Sequence, residues 1–189
     1  MSHKLDKETL DKVRNIDGFP IGEDEDIVNL SDPPYYTACP NPWIEDFVKE
    51  RGKQYNSKNN KYHKEPFTSD VSEGKNDSFY NAHSYPTKIP PKAIIPYILH
   101  YTDPGDLIFD GFCGTGMTGV AAQECSNPDK EIFKKINFKD EILLGARNVI
   151  LCDISTLASF ISYNLNIDED LEKFEKTIES IVGEFENDT

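Results

Sequence analysis

Asp110-Gly111-Phe112-Cys113-Gly114-Thr115-Gly116-Met117-Thr118-Gly119 is the stretch on which the fold turns. Leu107, Ile108 and Phe109 before it form a short apolar run, and the small residues Val120, Ala121 and Ala122 follow it. A buried strand, a glycine turn and a helix are predicted in that order. Taken literally, Gly114-x-Gly116-x-x-Gly119 matches the dinucleotide fingerprint. A nicotinamide enzyme would place its ribose-binding acid about 20 residues beyond such a loop, whereas Asp153 lies 34 residues after Gly119. More telling is Asp110, an acid at the tip of the strand, followed by an aromatic residue and closely spaced glycines.

Working outward, Asn148 to Cys152 reads as a second buried strand closed by Asp153. Ser155 caps the next helix, to Asn164, with Leu157, Phe160 and Ile161 expected to face inward. Between the strands, Glu124 to Arg147 is a polar insertion with a short helix around Ile132 to Ile136. Before the first strand, Lys92 to Thr102 has helical spacing with Pro90 and Pro91 at its start, and a turn follows at Asp103 to Asp106. An amphipathic acidic helix on Leu171, Phe174, Ile178, Ile181 and Val182 is predicted over residues 168–185. Alternating strands and helices imply an α/β class with parallel pairing.

The N-terminal third has a different texture. Residues 1–31 are acidic and weakly helical, with Ile27, Val28 and Leu30 compatible with a short strand or a helical turn. Four prolines in DPPYYTACPNP, Asp32 to Pro42, rule out regular structure there. Trp43, Ile44, Phe47 and Val48 then predict a helix to Arg51. Residues 52–80 read as a polar surface segment whose Lys53, Lys58, Lys61 and Lys64 interleave with Tyr55 and Tyr62. That pattern fits a solvated loop and is compatible with nucleic-acid contact. Three parts follow: an N-terminal segment 1–51, a polar linker 52–80 and an α/β subdomain 81–189.

At 189 residues the chain suits one domain. Its 34 Asp and Glu against 20 Lys and Arg give a net charge of −14, unlike the basic footprint of a free-standing nucleic-acid binder. Strong DNA affinity is therefore expected to come from elsewhere. Four cysteines without a CxxC pair give no zinc-ribbon or thioredoxin-like pattern, so no metal is expected. Without an apolar run of about 20 residues or a signal-peptide core, the expected location is cytoplasmic, with no membrane partner.

The form D-x-F-x-G-x-G-x-T at Asp110 to Thr118 resembles the S-adenosyl-L-methionine (AdoMet) binding motif I of amino DNA methyltransferases. His83-Ser84-Tyr85-Pro86-Thr87-Lys88-Ile89-Pro90 resembles their motif X, with extra residues between His83 and Thr87 and with Ile89 between Lys88 and Pro90. The resemblance implies a Rossmann-like AdoMet-dependent methyltransferase fold, here partial: an incomplete parallel sheet flanked by helices. It implies cofactor contacts from Thr87, Lys88, Asp110, Phe112, Gly114, Gly116, Thr118, Asp153 and Ser155. Asp110 would lie near the amino acid moiety of AdoMet, and Asp153 would accept the two ribose hydroxyls.

Asp32-Pro33-Pro34-Tyr35 has the form of motif IV, the catalytic tetrapeptide of the same enzymes. An exocyclic amine is a poor nucleophile because its lone pair is delocalised into the ring. The Asp32 carboxylate and a proline-fixed carbonyl from Pro33 or Pro34 would accept its N–H bonds, while the Tyr35 ring stacks on a flipped base. Only 47 residues separate Tyr35 from His83. Either the recognition region is missing or abbreviated, or Asp32 to Tyr35 is a loop that mimics motif IV.

Residues 18–166 resemble the N-terminal part of large bacterial site-specific methylases of the adenine-specific type. The expected activity is AdoMet-dependent methylation of a base amino group in DNA, N6 of adenine ahead of N4 of cytosine. The expected chain is a fragment or one half of such an enzyme, with DNA held through a separate recognition region. A complementing methylase half or a restriction or phage-defence partner is implied. The alternative is a non-catalytic module that binds AdoMet or a partner.

Overall fold

The computed structural model describes residues 4–31, 39–54, 56–58, 61–68, 70, 74–135, 142–167 and 171–187. Asp32 to Tyr35 lie outside these. The described elements are α1 (Lys7–Val13), α2 (Asp24–Ser31), α3 (Ile44–Arg51), α4 (Ser78–Asn81), α5 (Pro91–Tyr101), β1 (Leu107–Asp110), α6 (Met117–Glu124), α7 (Lys130–Lys135), β2 (Asn148–Leu151), α8 (Thr156–Asn166) and α9 (Leu171–Asn187). The Ile27 to Leu30 stretch is thus helical, with Asp24, Glu25 and Asp26 in the first turn, where carboxylates complement the helix dipole.

Strands β1 and β2 pair in parallel with Leu107 opposite Asn148 and Asp110 opposite Leu151. Helices connect and flank the pair, as expected of parallel strands that need a crossover. The ladder continues past the strand ends, because Cys152 N–H donates to the Asp110 carbonyl and Cys113 N–H donates to the Cys152 carbonyl, both at 2.9 Å. The two post-strand loops are therefore held side by side, with Asp110 at the start of one and Asp153 in the other.

The main core joins Ile95, Ile98 and Leu99 of α5 to Ala121 and Ala122 of α6, Cys125 and Ile132, with Ile108 and Val149 of the strands against it. Phe67 also packs on this core, which ties the polar stretch to the α/β part. A second cluster joins Leu5, Leu10, Ile27 and Cys39, with Phe19, Val28 and Trp43 around it. No helix among the described residues is long and apolar enough to cross a membrane.

Helix α8 departs from expectation in its facing. Ala158 and Ser162 are buried, whereas Leu157 and Phe160 are 61% and 36% exposed. The cause is the close approach of α6. A Cβ on Gly116 would fall 2.3 Å from Ser162 Oγ, and one on Gly119 would fall 2.2 Å from Asn166 Oδ1. Ser162 and Asn166 occupy that seam, so Leu157 and Phe160 turn outward, while Ile161 is half-buried.

Candidate functional site

Parallel strands deliver their C-terminal ends to one side of the sheet, and the candidate site is built there. Asp110 ends β1 and its carboxylate is fixed by two short-range bonds. Oδ2 accepts from Thr118 Oγ1 at 2.6 Å, and Oδ1 accepts from Phe112 N–H at 3.1 Å. Strand tip, glycine loop and first turn of α6 are locked together by one side chain. Gly116 caps α6 with φ +80°, in the left-handed region, which favours glycine.

A cleft of about 120 Å³ opens above this loop, walled on one side by Asp110, Phe112, Cys113, Gly114, Thr115, Met117 and Thr118. The opposite wall is the segment preceding α5, namely Tyr85, Thr87, Lys88 and Ile89, together with Ile94. Its size is below the roughly 300–1,000 Å³ of sites that enclose a drug-sized ligand, so it can enclose only part of one. Gly114 has φ +53°, and a Cβ there would approach the Tyr85 ring to 3.3 Å, so a side chain at this position would narrow the cleft where the walls meet.

The charges on the two walls are opposite. The Lys88 ammonium donates to the His83 carbonyl and lies 4.7 Å from the centre of the Tyr80 ring. Burial lowers its pKa from the ordinary lysine value. His83 is also pushed down, by burial and then by the Lys88 charge. Thr87 is the sole described non-glycine residue with positive φ, at +64°. For a β-branched residue that is strained backbone, of the kind that gathers at functional sites. Thr115 is 1% exposed and its hydroxyl has no hydrogen-bond partner among the described residues. Burial pushes the Cys113 thiol up to about 11, so it stays protonated at neutral pH and is a poor nucleophile.

Of the residues expected from the sequence, Thr87, Lys88, Asp110, Phe112, Gly114 and Thr118 meet at this cleft. Gly116, Asp153 and Ser155 lie outside its wall. Gly116 faces Ser162 and Asn166. Ser155 Oγ accepts from Ala158 N–H at 3.3 Å and caps α8. Both Asp153 oxygens accept backbone N–H bonds at 2.9 Å, one from Gly114 and one from Ser155.

Sequence reasoning missed Tyr85, Ile89, Ile94, Cys113, Thr115 and Met117. Tyr85 and Ile89 were visible in principle, since they are among the extra residues that interrupt the motif X pattern, and both became cleft wall.

The donor set suits a zwitterionic amino acid joined to a nucleoside: one cation, one carboxylate, and apolar or aromatic surface from Phe112, Tyr85 and Met117. No curated protein and no solved structure matches the chain. A family model described as DNA methylase matches residues 9–167, a span that includes the whole cleft. Because that match covers most of the sequence, the chain belongs to the DNA methylase family, whose chemistry is methylation of base amino groups with AdoMet as the general methyl donor.

Proposed function

We propose that the cleft between Tyr85 to Ile89 and the glycine loop holds AdoMet, and that the chain serves methylation of an exocyclic amino group in DNA, N6 of adenine ahead of N4 of cytosine. The observation that carries this reading is the convergence of Lys88 and Asp110 on one cleft from stretches 22 residues apart. A cation and a carboxylate on facing walls suit the carboxylate and ammonium of a bound amino acid. AdoMet, when bound, supplies an electrophilic methyl group on a sulfonium.

The chain's own groups then have distinct tasks. Lys88 and Thr87 hold the carboxylate end, Asp110 the ammonium, and Phe112 offers ring surface at the rim. Asp153 retains lone pairs for the ribose hydroxyls while it fixes Gly114. Asp32 and a carbonyl of Pro33 or Pro34 accept the amine N–H bonds, and Tyr35 stacks on the base. In this reading the two strands are part of a Rossmann-like sheet. The adenine preference rests on the resemblance to adenine-specific methylases.

A complementing half of the enzyme is the partner this reading requires. Exposed Phe109, Phe112, Ile154 and Leu157, at 69%, 95%, 102% and 61%, support it, because large apolar residues gathered around strand ends suit a partner surface. Transfer of labelled methyl from AdoMet to duplex DNA, followed by separation of the hydrolysed bases, tests the proposal. Label in N6-methyladenine is the expected result, and label in N4-methylcytosine corrects the base. AdoMet binding with no transfer, even when a complementing half is supplied, makes the chain a non-catalytic module.

A further inference from the structure

We infer that the basic stretch from Arg51 to Lys64, through its exposed Lys58 and Lys61, contacts the phosphate backbone of duplex DNA beside the C-terminal end of α5, away from the cofactor cleft. This inference rests on the DNA-methylation reading and adds where the duplex is gripped.

Charge is segregated along the chain. Arg51, Lys53, Lys58, Lys61 and Lys64 fall within 14 residues that contain no Asp or Glu, while the rest of the chain carries 15 Lys and Arg against 34 Asp and Glu. Tyr62 and the residues just after Lys64 are also pinned. Tyr62 Oη donates to the Tyr101 carbonyl at 3.0 Å, Phe67 N–H donates to Tyr101 Oη at 2.8 Å, and His100 Nε2 lies 2.7 Å from the Glu65 carbonyl. Phe67 stacks on His100 with ring centres 5.1 Å apart and meets Tyr97 edge-on at 5.2 Å. Lys53 pairs with Asp106, just ahead of β1.

These anchors lie in the second half of α5, from Tyr97 to Tyr101, and just ahead of β1. The cleft meets α5 at Ile94 and β1 at its far end, Asp110, about 10 Å from Tyr101 by helical rise. A contact at the Tyr101 end positions a duplex and reads no base.

Lys58 and Lys61 are exposed and make no ion pair among the described residues. Lys7, Lys49, Lys53, Lys92 and Lys176 each face a carboxylate; Lys12, Lys75 and Lys130 do not among the described residues, but they lie outside the 14-residue run without Asp or Glu. Exposed ammonium groups on an otherwise acidic protein, beside the anchored Tyr62, suit a ligand with a dense line of negative charge. Tyr62 is committed to α5 through its hydroxyl, which favours backbone contact over base stacking on a single strand.

The test is anisotropy of the full 189-residue chain with a labelled 20-base-pair duplex, read across about 50–200 mM salt. Each phosphate that a variant leaves unneutralised should reduce the slope of log K against log salt by about 0.9. The double variant Lys58→Gln/Lys61→Gln should therefore bind with a slope shallower by about 1.8, whatever the duplex sequence. Lys12→Gln/Lys176→Gln, which removes the same charge elsewhere, should keep the wild-type slope.

Equal slopes for the two double variants would overturn the inference. So would tighter binding to single-stranded RNA or to anionic vesicles than to the duplex. AdoMet binding is measured in parallel. A chain that takes AdoMet but ignores the duplex rejects the basic contact and leaves the cofactor reading intact, and the reverse result rejects the cofactor reading alone.

Discussion

Asp153 Oδ2 accepts the backbone N–H of Gly114 at 2.9 Å across 39 residues of sequence. The same carboxylate takes the Ser155 N–H through its other oxygen, so one side chain at the end of β2 holds the glycine loop after β1 and the entry to α8. Asp153 is thus a positioning residue for the loop, in addition to any ligand contact it makes.

Asp153→Ala should lower stability by about 1–3 kcal/mol, since two N–H donors lose a charged acceptor, and should weaken AdoMet binding at least tenfold. Asp153→Asn keeps one acceptor oxygen and should lose less on both counts. Urea melts beside ligand titrations check this. Unchanged stability in Asp153→Ala would contradict the tie.

Gly116 and Gly105 share a left-handed φ, +80° and +78°, but differ in surroundings. A Cβ on Gly105 meets nothing within 4 Å, whereas one on Gly116 meets Ser162 at 2.3 Å. Gly105→Ala should cost the backbone penalty alone, about 1 kcal/mol. Gly116→Ala adds crowding in the α6/α8 seam and should cost about 3 kcal/mol in total. Thermal melts of the two variants separate strain from packing, and equal shifts would contradict the seam.

Arg147 is 4% exposed and donates to Thr102 Oγ1, to the Thr102 carbonyl and to the Leu143 carbonyl at 2.8–3.0 Å, and also to the Gly145 carbonyl. It clasps the end of α5 to the approach to β2. Arg147→Met should destabilise by about 3 kcal/mol or more, because it strands several carbonyls at once. Arg147→Lys should rescue little, since one ammonium does not reproduce the planar fork. Denaturant midpoints for both variants check it.

Glu124 is the last residue of α6, at the negative end of the helix dipole. Burial raises its pKa, Asp77 adds to the effect, Lys92 opposes it and Asp129 adds again. A carboxyl with a raised folded-state pKa destabilises the fold where it is ionised, and the penalty fades as pH falls through that value towards the unfolded one, about 4.3. Glu124→Gln should therefore raise Tm at about pH 7 and make little difference at about pH 4. A lower Tm at neutral pH would contradict the sign.

The glycine loop and both strands were legible because their signals are local: an apolar run, an acid at its tip, then residues without side-chain bulk. The facing of α8 was not. Leu157 and Phe160 are more apolar than Ala158 and Ser162, and helical periodicity alone assigns the larger residues to the core. The deciding fact is how closely α6 approaches, which Gly116 and Gly119 set from another part of the chain. The positive φ of Thr87 was equally hidden, since nothing in its residue type favours that conformation. The anchoring of the polar stretch rests on Tyr62 and Phe67 meeting Tyr101 and His100, pairings with no periodic signature.

The central claim is that the Lys88 and Asp110 cleft is a cofactor site. Calorimetric titration of the 189-residue chain with AdoMet, with NAD as control, tests it most directly. Saturable heat with AdoMet and none with NAD is the predicted result. No AdoMet binding by a chain shown to be folded, or binding of NAD in its place, would contradict it.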